Sequence, residues 1–436
     1  VAPIARVYLN NGGTLSSLPD WSADVHGNAF GVAFGDVDND GRPDLAVATG
    51  WAYGTPHLDP NYVYRNVGGV LESSASWQSD DTYDHQGALW VDADDDGWLD
   101  LAMIAAGAQT RVYRNLGGVL ETTASWETSD SIDQDGIMLA AGDVTGDGHR
   151  ELFATDNTQL GGSGRFKQYT GLAGGLFSTT YSWSYYEGYG SAVALADVNA
   201  DGALDLATGG WWENTRLFQN RGAGLVATPT WDSAGTSVVE KIVFGDVDPD
   251  CGIELAFTEH FVPDAGQRLF YLPHQPVQGI VAVRRDGAPL GPHEYTSSRE
   301  SAWVSVDAAP TTSLEVDYTY SHSLDMAVSN WDSGLGNYLY YNFTFDDCND
   351  NGIPDGCDIA GGDSDDVNGN GVPDECEDLC PCDCEDPPDG TVDVGDFLAL
   401  LAQWGAPGPC DCEDPPDDTV DVGDFLALLA AWGPCP

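Results

Sequence analysis

The sequence predicts an all-β chain organised as a β-propeller, followed by a small cystine-rich tail containing two short helices. Three observations carry this. First, the stretch "FGDVDNDGRPDLAVATG" (34–50) recurs as "WVDADDDGWLDLAMIAAG" (90–107), "AGDVTGDGHRELFATD" (141–156), "LADVNADGALDLATGG" (195–210) and "FGDVDPDCGIELAFTE" (244–259). The leading aspartates Asp36, Asp92, Asp143, Asp197 and Asp246 follow one another at steps of 56, 51, 54 and 49 residues. A fixed period of this size marks units that bury their apolar faces on one another. Second, the apolar runs between Gly/Asn/Asp turns are short, which suits strands and not helices. Third, beyond about residue 346 the core-forming runs stop, and nine of the ten cysteines lie there.

Along the chain each unit supplies four antiparallel strands. In the first, "GVAFGDV" and "DLAVATG" flank the acidic turn, "NYVYRN" follows, and a Gly-Gly turn leads to a fourth strand. Closing such units radially removes free sheet edges. One tryptophan per unit (Trp21, Trp77, Trp126, Trp183, Trp231) stands 14 to 17 residues before each leading aspartate and reads as core packing. A weaker sixth copy, "VDYTYSHSLDMAVSNW" (316–331), keeps with Asp317 and Asp325 the spacing of Asp197 and Asp205, but lies 71 residues after Asp246. The surplus falls at 279–313, which predicts extra strands in or beside the fifth blade. Six blades fit the length best, with "RVYLNNGG" helping to close the last. Because "NYLYYN" (337–342) competes for that slot, seven blades is the alternative.

The acidic turn explains why carboxylates lead a strand. Positions 1, 3, 5 and 9 carry oxygen side chains in all five copies: Asp36, Asp38, Asp40 and Asp44; Asp92, Asp94, Asp96 and Asp100; Asp143, Thr145, Asp147 and Glu151; Asp197, Asn199, Asp201 and Asp205; Asp246, Asp248, Asp250 and Glu254. Glycine at position 6 allows the sharp bend that aims alternate side chains at one point. Several hard, charged oxygens around a tight loop are what Ca²⁺ requires. In the fifth loop Cys251 replaces that glycine, and in the sixth copy Thr319 and Ser321 replace carboxylates, so that copy is expected to bind no ion. The pattern resembles the FG-GAP/VCBS repeat family over roughly residues 1–345. This resemblance implies a calcium-bearing propeller of the kind found in integrin-type heads and many secreted bacterial proteins. It says almost nothing about activity.

Residues 346–378 repeat "D-x-N-x-N-G-x-P-D". Asp347, Asn349, Asn351, Asp355 and Asp358 form one constellation, and Asp366, Asn368, Asn370, Asp374 and Glu377 another. The segment is similar to thrombospondin type 3 repeats, which wrap calcium and are stapled by cystines; without ions such a composition would stay disordered. Residues 379–436 hold a tandem duplication of period 28, "CDCEDPPDGTVDVGDFLALLAQWGAPGP" and "CDCEDPPDDTVDVGDFLALLAAWGPCP". Each half is an acidic loop running into an amphipathic helix, with Asp396 and Asp424 as N-caps. The arrangement resembles a dockerin, two loop-helix halves of an EF-hand. Pro387 and Pro415 occupy the third loop position and Asp418 replaces a loop glycine. The carry-over therefore falls on Asp389, Asp393 and Asp396, and more weakly on Asp421 and Asp424. The resemblances imply about five ions in the propeller, about two in 346–378 and none to two in the last module.

Composition narrows function. Seventy-one acidic residues oppose fifteen basic ones, a net charge of −56, which disfavours nucleic acid and anionic membranes as partners. The clustered cysteines read as disulfides of an oxidising compartment. Cys384–Cys410 and Cys412–Cys435 would close the helical halves, and Cys251 could tether the tail through Cys348. The chain starts at Val1 without an apolar leader, which fits a processed secreted form. The eight histidines are scattered, and no nucleophile, zinc or phosphate-loop motif occurs, so no enzymatic activity is expected. Two functions remain. One is a calcium-stabilised structural protein of the cell exterior, polymerising head-to-tail into a fibre through its tail. The other is a lectin-like or adhesive module. Its candidate face carries the aromatics outside the repeat phase, Trp51, Tyr53, Trp211, Trp212 and Trp331, on the side opposite the acidic turns.

Overall fold

The computed structural model describes residues 2–50, 59–129, 136–199, 201–222, 224–247, 255–321, 323–332, 334, 336–342, 359, 364, 373, 391–392, 394–405, 420, 422–430 and 433–434. The chain divides into two compact units: Val1–Asp248 with Ile253–Phe343, and Pro249–Gly252 with Thr344–Pro436. Among the described residues no helix is long and apolar enough to cross a membrane.

The first unit is a succession of antiparallel sheets, laid down in chain order outside an insert described below. The first joins Gly31–Gly35, Asp44–Ala48, Tyr62–Tyr64 and Trp77–Gln78. The second joins Asp84–Val91, Asp100–Ala106, Arg111–Tyr113 and Trp126–Glu127, and the third Leu139–Gly142, Glu151–Ala154, Arg165–Tyr169 and Trp183–Tyr186. The fourth is built from Gly190–Ala196, the long strand Asp205–Phe218 and the first half of Trp231–Gly245; the second half of that strand opens a fifth with Asp325–Asn330 and Tyr338–Tyr340.

Successive sheets pack face to face. Ala46, Ala48 and Val63 of the first meet Leu101, Met103 and Tyr113 of the second. Val91, Ala102 and Ile104 meet Leu152, Ala154 and Tyr169 of the third. Phe153 and Phe166 then meet Val193, Leu206 and Phe218, and Ala192, Ala194 and Ala207 meet Val239, Ile242 and Met326. Burying such side chains stabilises each contact by about 1.5–3 kcal/mol per large residue.

The repeat tryptophans lock these steps. Trp77, Trp126, Trp183 and Trp231 each set an edge against an aromatic ring of the next sheet: Tyr113, Tyr169, Phe218 and Tyr340, at centroid distances of 5.1 to 5.8 Å. The indole N–H groups of Trp77, Trp126 and Trp183 donate to the backbone carbonyls of Glu121, Phe177 and Val226 beyond it. Trp21 does the same from the N-terminal ribbon, meeting Tyr64 at 4.9 Å and donating to Glu72. That ribbon, Arg6–Val7 with Trp21–Ser22, pairs only within itself among the described residues. It does not complete the fifth sheet; "NYLYYN" supplies that sheet's third strand.

The fifth and sixth sequence copies are corrected by the register. Gly245, the last residue of its strand, pairs with Asp325, as Gly35 pairs with Asp44, Val91 with Asp100, Gly142 with Glu151 and Ala196 with Asp205. The "DMAVSN" strand is therefore the second strand of the fifth sheet and not part of a sixth. Asp317 instead sits in the strand Leu314–Tyr320, held by Arg284 at 2.6 Å and by the Thr258 hydroxyl. Between the two ladder partners lies an inserted β-domain. One of its sheets comprises Leu255–Phe261, Leu314–Tyr320, Gly279–Arg285 and Ala288–Pro289; the other comprises Leu269–Tyr271, Trp303–Val306 and Tyr295–Ser298. Its own core includes Phe270, Val304, Leu314, Val316 and Tyr318. The insert rests on the acidic turns: Arg268 and Ser305 bond Asn39, and the Tyr271 hydroxyl accepts from Asp92 N.

In the second unit, helices Val394–Gln403 and Val422–Ala430 pack through Phe397 and Phe425, whose ring centroids are 5.7 Å apart. Val392, Leu400, Val420 and Leu428 form their core, each residue of one half matched by its equivalent 28 positions on.

Candidate metal centre

Each of the first four acidic turns is wired by its own leading carboxylate. Asp36 accepts Asp40 N at 2.9 Å and Gly41 N at 2.8 Å. Asp92 accepts Asp96 N and Gly97 N at 3.1 and 3.0 Å. Asp143 accepts Asp147 N and Gly148 N, and Asp197 accepts Asp201 N and Gly202 N. The position-6 glycines have φ between +80° and +88°, a conformation that costs a side chain about 1 kcal/mol or more.

The position-9 carboxylate ties the turn to the sheet. Asp44 accepts Val37 N and Asn66 N, Asp100 accepts Ala93 N and Asn115 N, and Asp205 accepts Val198 N and Asn220 N. Glu151, one methylene longer, reaches Val144 N and Thr145 N. In the fifth sheet this role falls to Asp325, which accepts Val247 N and Asn342 N at 3.0 Å each. Sequence spacing had placed Glu254 there. Asp246 is bonded by the Ser321 hydroxyl at 2.9 Å.

Carboxylates also meet one another. Asp36, Asp38 and Asp40 each offer an oxygen within 4.8 Å of the others, as do Asp92, Asp94 and Asp100. Asp38 Oδ1, Asp94 Oδ1 and Glu151 Oε1 are buried without a hydrogen-bond partner. Three arginines reach the turns: Arg42, from within the first, pairs with Asp40, Arg114 pairs with Asp94, and Arg65 lies 3.5 Å from Asp38. Burial pushes the Asp36 carboxyl up to about 6, Asp92, Glu151 and Asp205 to about 7, and Asp44 and Asp100 to about 8. A buried, partly unpaired oxygen set of this kind fits a hard cation and no soft one.

An asparagine that closes the third strand joins neighbouring turns. Asn115 Nδ2 donates to Val37 O at 2.7 Å, Asn220 Nδ2 to Val144 O at 2.6 Å, and Asn342 Nδ2 to Val198 O at 2.7 Å. Each thus braces the turn of the preceding sheet. The recurring strand-final Asn was its only sequence signal.

The remaining candidates divide. Asp248, Asp250, Glu254, the whole Asp347–Glu377 set, Asp389, Asp393, Asp421, Trp51, Tyr53 and all ten cysteines lie outside the described residues, as does the Asp424 side chain. Asp396 is buried in the first turn of its helix. Trp211 is corrected as a ligand-facing residue: it is 1 % exposed, packs with Ile137 and Val238, and donates to Glu240 Oε1 at 3.1 Å. Trp212 and Trp331 are 51 % and 58 % exposed. Trp211→Ala should therefore destabilise the chain by about 3 kcal/mol. Trp212→Ala and Trp331→Ala should each cost less than about 1 kcal/mol. Urea melts of the three variants check the split.

Comparison with known proteins follows the same lines. Residues 5–47, 92–154 and 143–208 match the family described as FG-GAP-like repeat. No match is found among curated proteins. The chain is similar to a solved structure described as the crystal structure of BBS1N in complex with ARL6DN, soaked with lead, at 13% identity and a TM-score of 0.31, over 55% of this chain and 77% of that one. A likeness this slight carries no weight for fold or function. The chain carries FG-GAP-like repeats on a β-rich succession of sheets, and these together support an FG-GAP-repeat β-propeller.

Proposed function

We propose that the chain is a secreted, non-enzymatic structural protein of the cell exterior, whose propeller is locked by calcium and whose C-terminal module joins one copy to the next. The observation that carries the calcium reading is the buried carboxylate oxygen without a partner in three successive turns, Asp38 Oδ1, Asp94 Oδ1 and Glu151 Oε1. Leaving such atoms unpaired is costly, and more so when charged. Ions would be held by positions 1, 3, 5 and 9 of the first four turns, and by Asp246 with Asp325 in the fifth sheet. Bound calcium would supply the positive charge that lets these oxygens stay ionised.

Support for joining copies comes from the tail. Val394, Leu398 and Leu401 of the first helix and their equivalents Val422, Leu426 and Leu429 of the second all face solvent. Together they make a duplicated apolar surface that a neighbouring copy could cover. A contact from tail to propeller is heterologous, and unless it closes a ring it yields a filament. Acidic subunits repel, so assembly should need divalent cations. Full-length protein in millimolar Ca²⁺ is expected to scatter light as a growing polymer, and a chain lacking residues 379–436 as a folded monomer. Monodisperse monomer from both refutes the fibre. A second reading, a binding face for glycan or protein, is favoured by the exposed Trp212 and Trp331, which flank the strand Trp231–Gly245 near Val238.

The metal-free protein carries a pH dependence of fixed sign. Carboxyls titrate near 4 in an unfolded chain, but six in these turns are raised to between about 6 and about 8 when folded. The folded chain then binds more protons. The stability these six carboxyls contribute is full below about pH 4 and is lost as pH rises through the folded values. With EDTA present, the melting temperature should be higher at about pH 5.5 than at about pH 8, and calcium should flatten the difference. A chelated protein that melts higher at the alkaline pH contradicts this.

A further inference from the structure

The first acidic turn differs from the next three in what lies on it. Its position-6 glycine, Gly41, is buried. A Cβ built there would stand 2.7 Å from the carbonyl carbon of Glu294, in the insert, and 2.8 Å from its oxygen. Gly97, Gly148 and Gly202 hold the same position at nearly the same φ, and a Cβ on any of them would meet nothing within 4 Å. Position 4 is held as closely. Asn39 is 1 % exposed; its carbonyl accepts from Arg268 at 3.0 Å, and its side-chain oxygen accepts from the wholly buried Ser305 at 3.2 Å. The Asn39 amide donates onward to Gly97 O of the second turn at 2.9 Å. The residues at position 4 of the second and third turns, Asp95 and Gly146, are exposed.

A turn gives up an ion by splaying the loop that carries positions 3 to 6. In the first turn that motion would carry Asn39 off its three hydrogen bonds and Gly41 against the Glu294 backbone. Packed surfaces of this kind shift between discrete arrangements and do not deform smoothly. The coupling also runs the other way. Without an ion, Asp36, Asp38 and Asp40, whose oxygens lie within 4.8 Å of one another, repel and spread the loop on which the insert rests.

We infer that the insert is a calcium-coupled clamp on the first turn: seated, it tightens the hold on that turn's ion and slows its escape, and the ion keeps the insert seated. The two affinity effects are one coupling free energy and are equal in both directions. This rests on the calcium reading of the turns and adds that the sites are unequal. The third and fourth turns expose positions 5 and 6, Asp147 with Gly148 and Asp201 with Gly202, so their ions exchange freely.

The test loads the full chain with Ca²⁺, mixes it with excess chelator and follows release by the chelator's absorbance. Release in at least two phases is expected. Gly41→Ala, which sets a methyl group against the Glu294 backbone, should speed the slow phase about tenfold or more. Gly202→Ala carries the same strain, at φ +84° against +80°, with no insert above it, and should leave that phase unchanged. Ser305→Ala, which removes the hydroxyl bonded to Asn39, should speed it too and serves if Gly41→Ala fails to fold. Reciprocity is read by hydrogen exchange of residues 294–306 in Ca²⁺. Asp40→Asn, at position 5 of the first turn, should raise that exchange, and Asp201→Asn, at position 5 of the fourth, should not. Release in a single fast phase, a slow phase that Gly41→Ala and Ser305→Ala both leave untouched, or equal exchange in the two aspartate variants overturns the clamp and leaves the calcium reading standing. A chain that holds no calcium before mixing refutes that reading, and the clamp with it.

Discussion

Chelating calcium from the full chain is expected to lower its melting temperature by about 20 °C, which follows from the number of turns and the size of one site. An ion that binds only the folded state at about a hundred times its dissociation constant stabilises by about 2.7 kcal/mol. Four complete turns, those led by Asp36, Asp92, Asp143 and Asp197, then contribute on the order of 10 kcal/mol, as much as a whole domain's net stability. In a unit of this size each kcal/mol moves the midpoint by about 2 °C or slightly more. Removing the ions also restores repulsion between carboxylates that share a 4.8 Å sphere. Calorimetry in EDTA and in millimolar Ca²⁺ measures the difference. An unchanged midpoint would mean that the backbone amides and the arginines Arg42, Arg65 and Arg114 already satisfy the turns. It would sink the calcium reading.

What could be read from the sequence was what recurs at short range. The turn is legible because its oxygen side chains recur at positions 1, 3, 5 and 9 around a positive-φ glycine, all within nine residues. The inter-sheet tryptophans were legible for the same reason, as a fixed phase that only packing requires. The fifth sheet was not legible. Its first two strands, at Gly245 and Asp325, are separated by an entire β-domain, and nothing local says that a hairpin has been opened to admit one. Asp317 imitated a leading aspartate by spacing alone, while its real partner is Arg284. Trp211 and Trp212 show another limit. Strict alternation would place neighbouring residues on opposite faces, but which faces inward depends on register. Here the ladder shifts between Trp211 and Glu213, and Trp212 takes φ +59°. That irregularity turns Trp211 into the core and leaves Trp212 outside, and no composition signal marks it.

Asp94→Asn should change sign with calcium. At about pH 9.5, above the raised values of about 7 for Asp92 and about 8 for Asp100, metal-free protein holds both carboxyls that lie within 4.8 Å of Asp94 charged. At that range and an effective dielectric near 20, each like-charge pair opposes folding by about 3 kcal/mol. Asparagine keeps the shape and one acceptor oxygen but removes that repulsion. It also gives up the ion pair with Arg114, a partly exposed partner worth less than about 1 kcal/mol. In EDTA the variant should therefore melt higher than the native chain. With calcium present the same substitution removes a charged ligand, and a tenfold to hundredfold loss of affinity costs about 1.4–2.7 kcal/mol, so it should melt lower. Losing two such pairs against one ion pair gains about 5 kcal/mol in EDTA, so the swing between the two conditions is expected to reach about 7 kcal/mol. Asp95→Asn is the control, because Asp95 pairs with His149 and Arg150 and stands at no ligand position; its effect should not depend on calcium. Destabilisation by Asp94→Asn in both buffers would assign Asp94 to its arginine, and indifference in both would make the turn a solvated one. Only the crossing identifies a carboxylate that the fold tolerates because an ion sits on it.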